Sequence, residues 1–125
     1  MFTHVVVGSN DLEPAKRFYD AVMGALGVGP GRTIGDKVIY LTPNGNFMVA
    51  KPINGEPATF ANGGTIGFKA ASQEVVDAWH AAGHAAGGTP IEDPPGVRNK
   101  GSKMYLAYLR DPDGNKLCAM YSIPA

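Results

Sequence analysis

Cysteine is almost absent from this sequence: Cys118 is the only one in 125 residues. A single thiol excludes an intrachain disulfide framework and any zinc site built from several cysteines. Net charge is missing as well, because 11 basic side chains balance 11 acidic ones. No global field therefore steers the chain onto nucleic acid or an anionic membrane. Long apolar runs are also lacking; none approaches the roughly 20 residues that cross a bilayer. The opening MFTHVVVGSND has neither a basic leader nor a small-residue cleavage site. These absences read as a soluble, cytoplasmic protein with no nucleic-acid and no membrane partner. What is present is a hydrophobic content of 44%, which argues for a packed core and against a disordered chain. The 17 glycines and 10 prolines point to many tight turns between short elements. The length suits one ordinary domain spanning 1–125.

The chain repeats itself in pattern more than in identity. THVVVG, residues 3–8, has strand character, since a branched β-carbon suits extended backbone. Asp11 offers an N-cap for a helix from Leu12 to Leu26, with Ala15, Phe18, Tyr19, Val22 and Leu26 as its buried stripe. GVGPG, residues 27–31, stops it. TIGFKA, residues 65–70, repeats the strand, and Ser72 caps a second helix through Val75, Val76 and Trp79 that ends at Gly87-Gly88. Laying His4 on Thr65 places Asp11 on Ser72 and Phe18 on Trp79. Each half closes with a hairpin signal, Pro43-Asn44-Gly45-Asn46 and Pro112-Asp113-Gly114-Asn115. Room for one more strand precedes each hairpin, around Arg32–Ile34 and around Thr89–Ile91. The plan is β-α-β-β-β twice, module 1 over about 1–56 and module 2 over about 62–125. Only the second module carries a longer segment, EDPPGVRNKGSK, between helix and hairpin.

Alternation along the opening strands separates two faces. Val5 and Val7 share one face, and His4, Val6 and Gly8 the other; Ile66 and Phe68 oppose Thr65, Gly67 and Lys69. The apolar faces are expected under the helices. The mixed faces are expected to line a concavity suited to a small organic molecule. HVVVGSNDLEPAKRFYDAVMGALG at the front and LRDPDGNKLCAM near the end resemble the vicinal oxygen chelate superfamily, which includes glyoxalase I, bleomycin-resistance proteins and extradiol dioxygenases. That resemblance spans nearly the whole chain. It implies an α+β fold in which two β-α-β-β-β modules form a curved mixed sheet with a concave cleft and helices on the outer face. It also implies a homodimer.

In the metal-dependent members of that superfamily, side chains from the first and last strands of each module hold a divalent cation. The resemblance puts His4, Val49, Thr65 and Cys118 at those positions. Valine cannot coordinate, and neutral threonine is a poor ligand for a hard cation. That leaves His4 and Cys118 as metal candidates, for zinc, nickel, manganese or iron. His80 and His84 stand four apart on the second helix but lack the glutamate of an HExxH motif, so a solvent-side placement is expected. GVRNKGSKMY gathers Arg98, Lys100 and Lys103 ahead of Tyr105, a set able to receive a carboxylate or phosphate. Thr65, Lys69, Arg98, Lys103 and Tyr105 are thus the expected ligand-binding residues. Two functions follow. One is a protein that binds a small organic molecule with a depleted metal site. The other is a metal-dependent lyase, isomerase or dioxygenase that uses His4, distinct from a standard glyoxalase I.

Overall fold

In a computed structural model, which describes residues 1–99 and 101–125, each half folds as β-α-β-β-β. The first half comprises β1 (His4–Gly8), α1 (Leu12–Ala25), β2 (Arg32–Ile34), β3 (Lys37–Tyr40) and β4 (Asn46–Ala50). The second comprises β5 (Ile66–Lys69), α2 (Gln73–Ala85), β6 (Thr89–Val97), β7 (Met104–Arg110) and β8 (Lys116–Ser122). The strands form two four-stranded mixed sheets, ordered β1-β4-β3-β2 and β5-β8-β7-β6. The opening strand of each half runs parallel to the last, and the remaining pairs are antiparallel. This is the α+β architecture expected from the repeat. No helix among the described residues is long and apolar enough to cross a membrane.

Both helices start where their capping residues place them. The Asp11 carboxylate accepts from the Glu13 N–H at 3.2 Å, and the Ser72 hydroxyl accepts from the Val75 N–H at 3.1 Å. Phe18, Tyr19, Val22, Val76 and Trp79 are fully buried, so the expected stripes do face the sheets. One continuous core joins the halves: Phe47 of β4 meets Phe68 of β5 at 5.3 Å between ring centroids. The helices pack against each other through Gly83, where an added β-carbon would lie 2.3 Å from Leu109 and 2.8 Å from Val22. Glycine is there for closeness, not for turning.

The longer segment of the second half is not a plain loop. Half of it, residues 92–97, is absorbed into β6, a nine-residue edge strand that tolerates Pro90, Pro94 and Pro95 because its outer side needs no ladder donors. Ile91 pairs with Tyr108 and Gly96 with Leu106, so residues 92–95 bulge opposite Ala107 alone.

The second hairpin is tied to the first helix by a buried carboxylate. Asp111 receives the Tyr19 hydroxyl, the Asn115 side-chain amide and the backbone N–H groups of Asp113 and Asn115. Burial pushes its carboxyl above the usual carboxylate range, against these four donors. A raised acid costs stability as pH climbs through its folded pKa, and the Tyr19 donor lessens that cost by bonding the ionised form. Tyr19→Phe is therefore expected to destabilise the fold by about 2 kcal/mol at neutral pH and less in acid, where Asp111 is protonated in either state. Urea unfolding across the carboxylate range checks this; a deficit independent of pH would mean that Asp111 is not ionised.

Candidate functional site

Each sheet gives one face to the helices and leaves the other open. On the second sheet, register places Gly67, Cys118, Tyr108 and Ile91 in one row of the open face. Lys69, Met120, Leu106 and Gly96 form the next row, and Lys116 and Arg110 stand opposite each other at the hairpin end. Arg98 returns from the end of β6 to place its guanidinium 5.4 Å from the centroid of the Tyr108 ring. Lys116 reaches the same ring, at 5.0 Å, and pairs with Glu92 at 2.6 Å. Aromatic faces attract cations through the ring quadrupole, which gathers both positive groups at one phenol.

Arg98 also closes the bulge, donating to the carbonyls of Pro94 at 2.6 Å and Asp93 at 2.7 Å. Its Nε–H is buried without a partner. Beneath these charges the Cys118 thiol is pushed above its ordinary range, first by burial and then by the Glu92 carboxylate. Lys116 and Arg98 act in the opposite direction without offsetting the rise.

The expected site residues fall into distinct places. Lys69 and Cys118 line one depression of about 510 Å³ together with Gly67 and Met120. Thr65 lines another, with Lys116 and the Val6–Gly8 end of β1. His4 is exposed and lines a third, with Phe47, Gly67 and Phe68. His4 and Thr65 thus lie along one seam between β1 and β5, in separate depressions. Tyr105 turns to the helix side, where its hydroxyl donates to Asp77 at 2.8 Å. Lys103 is exposed, and its carbonyl accepts the Ile123 N–H. Lys100 lies outside the described residues.

Sequence reasoning placed Gly67 on this face but missed Tyr108, Glu92 and Lys116. Alternation through MYLAYLR would have separated Tyr108 from Tyr105, but nothing local signals that Glu92 turns back over the sheet. The second-helix histidines divide: His84 is exposed, while His80 is half-buried and pushed below its ordinary range by burial and the nearby His84 and Arg98 charges.

A model of the Glyoxalase/Bleomycin resistance protein/Dioxygenase superfamily matches residues 1–119. The chain belongs to that superfamily. A glyoxalase/bleomycin resistance protein from Albidiferax ferrireducens T118 is 57% identical, with TM-score 0.91, covering 97% of this chain and 98% of that one. A glyoxalase-related enzyme from Fulvimarina pelagi shares the fold at 20% identity and TM-score 0.76, over 95% of this chain and 86% of that one. So does a lactoylglutathione lyase from Agrobacterium tumefaciens, at 21% and 0.66, over 95% and 91%. No curated protein matches the chain.

The superfamily implies a divalent metal, and the donors of this chain do not fit one. Register pairs His4 with Asn46, Val6 with Met48 and Gly67 with Cys118, so Met48 rather than Val49 is the structural counterpart of Cys118. Met48 stands one residue nearer its hairpin glycine, Gly45, than Cys118 stands to Gly114, which turns Val49 into the core. Neither a thioether nor a thiol held protonated by its surroundings suits a hard cation. Among the described residues no three of His, Cys, Asp or Glu are grouped to hold a metal.

The lone thiol reports on its neighbours. Alkylation of Cys118 by iodoacetamide is expected to be slow at neutral pH, since only the thiolate reacts. Glu92→Gln is expected to move the midpoint of its pH–rate profile downward. An unchanged midpoint would place Glu92 away from the thiol.

Proposed function

We propose that the protein is a binding member of its superfamily, holding a small organic molecule on the open face of the second sheet without a protein-built metal centre. The observation that carries this reading is Gly67. Three depressions share it as a wall: one with His4, one with Cys118 and Lys69, and one with Val28 and Asn44. The missing side chain leaves the depression with Lys69 open over Cys118 and Met120. Apolar surface with a few placed polar groups is the usual make-up of a small-molecule pocket. Thr65, Lys69 and Arg98 are the ligand-orienting groups in this reading.

A homodimer belongs to the same reading. Its support is the open face of the first sheet, where Val6 is 50% and Ile34 55% exposed, in rows that also contain Met48 and Ile39. Apolar side chains grouped on one sheet face suit burial against a second copy.

A β-carbon at Gly67 would meet only the Cys118 sulfur, at an ordinary 3.4 Å, so the site can be filled without disturbing the core. A screen of small organic molecules by thermal shift is expected to find ligands whose effect is the same with and without divalent cations. A ligand at a hundredfold excess over Kd stabilises by about 2.7 kcal/mol, which raises Tm by several degrees. Gly67→Leu is expected to keep the parent Tm and lose the shift. Shifts that require a divalent cation and vanish in His4→Ala would overturn this reading in favour of a metal-dependent enzyme.

A further inference from the structure

We propose that the ligand of this face is an organic carboxylate, which takes the place of Glu92 at Lys116 and is drawn in by Arg98. The inference rests on the small-molecule reading above and specifies the chemistry of its ligand.

The first ground is charge. Around Tyr108 stand two cations, Arg98 and Lys116, and one anion, Glu92. Among the described residues Arg98 forms no ion pair; its bonds go to two neutral carbonyls. Lys69 and Arg110 add further positive charge to the same face. Arg110 is held at the Gly114 carbonyl and over the Phe60 ring. A chain with no net charge has thus collected an excess of positive groups on a half-buried surface. A cation beside low-dielectric walls attracts a counter-ion more strongly than one in open solvent.

The second ground is the internal carboxylate. Glu92 shows that Lys116 accepts a carboxylate at 2.6 Å over this ring. Glu92 holds that place from a bulge, with φ at 59°, a left-handed conformation that glutamate seldom adopts. A ligand carboxylate makes the same bond without that requirement, and Arg98, anchored to the bulge carbonyls of Asp93 and Pro94, stays at the ring when Glu92 leaves.

The third ground is the surroundings. Ile91, Leu106, Met120 and Cys118 lie on the same open face as Tyr108. They suit a ligand with an apolar body and one charged end better than a bare inorganic ion.

Benzoate, the isosteric neutral benzamide and inorganic phosphate test the proposal on the intact chain, read by titration calorimetry and by protection of Cys118 from alkylation. Benzoate is expected to bind more tightly than benzamide or phosphate and to weaken as salt rises to about 0.15 M. Glu92→Gln is expected to tighten benzoate at least about threefold by removing the competitor. Lys116→Met is expected to weaken it, and Arg98→Lys, which keeps the charge, to retain part of the affinity. Benzamide binding as well as benzoate, with both lost in Gly67→Leu, would overturn the carboxylate and leave the small-molecule reading standing. Phosphate binding as well as benzoate and indifferent to Gly67→Leu would overturn the proposal in favour of a bare anion spot. Failure of all three probes to bind or to protect Cys118 would overturn it as well.

Discussion

A β-strand has two faces and can offer only one of them to a helix. Everything distinctive in this molecule follows from how that division is made twice. Phe47 and Val49 of β4 and Leu117 and Ala119 of β8 go to the helix side, where Phe18, Tyr19, Val22 and Trp79 close over them. Once those positions are spent on the core, their sequence neighbours have no choice but the opposite face. Met48, Cys118, Tyr108 and Lys116 are where they are because the residues beside them are buried. An open face of this kind is the complement of the core, not a separate invention.

The two modules carry out this plan unequally, and the inequality is chemical. In the first, β2 is three residues long and its open face is a plain surface of Val6, Met48, Ile39 and Arg32. In the second, β6 runs for nine residues and bulges, which lifts Glu92 and Arg98 over the sheet. The bulge converts a flat strand edge into a wall with charge on it. That is the common use of irregular pairing at a sheet edge: it re-aims side chains that a regular ladder would point elsewhere. The hairpin beside it is held to α1 through Asp111 and Tyr19, so the strands that carry Tyr108 and Lys116 are braced by the other half of the chain.

A superfamily scaffold has here been kept while its metal donors have not. The helices, hairpins and parallel opening pairs retain the shared architecture, since they answer to packing and turn geometry. The donor positions answer to chemistry alone, and at them stand methionine, threonine and a thiol alongside one histidine. Membership of the fold therefore does not by itself fix a reaction, as in many folds that serve several functions. The 57% identity to the Albidiferax ferrireducens protein concerns the scaffold and does not by itself supply a reaction.

Much of the architecture was legible from the residues. The caps at Asp11 and Ser72, the helical spacing of the aromatic stripe and the two Pro-x-Gly-Asn hairpins each depend on neighbours close along the chain, and local physics decides them. The faces of β1 and β5 were legible for the same reason, since alternation has a fixed period. Legibility failed wherever a count across a turn mattered. One residue fewer between the first hairpin glycine and the equivalent strand position moved Val49 into the core and Met48 onto the open face, and no motif announces that difference. It failed again at EDPPGVRNKGSK, which reads only as a longer segment between helix and hairpin although half of it extends an edge strand, where proline's missing donor is not needed. Tyr105 and Tyr108 are alike as letters; their strand partners separate them. By itself, then, the sequence determined the modules, their helices and which residues are apolar enough to be buried. Only the tertiary structure decided which charges meet, because Glu92, Arg98 and Lys116 are joined through a bulge whose shape depends on the strand it packs beside.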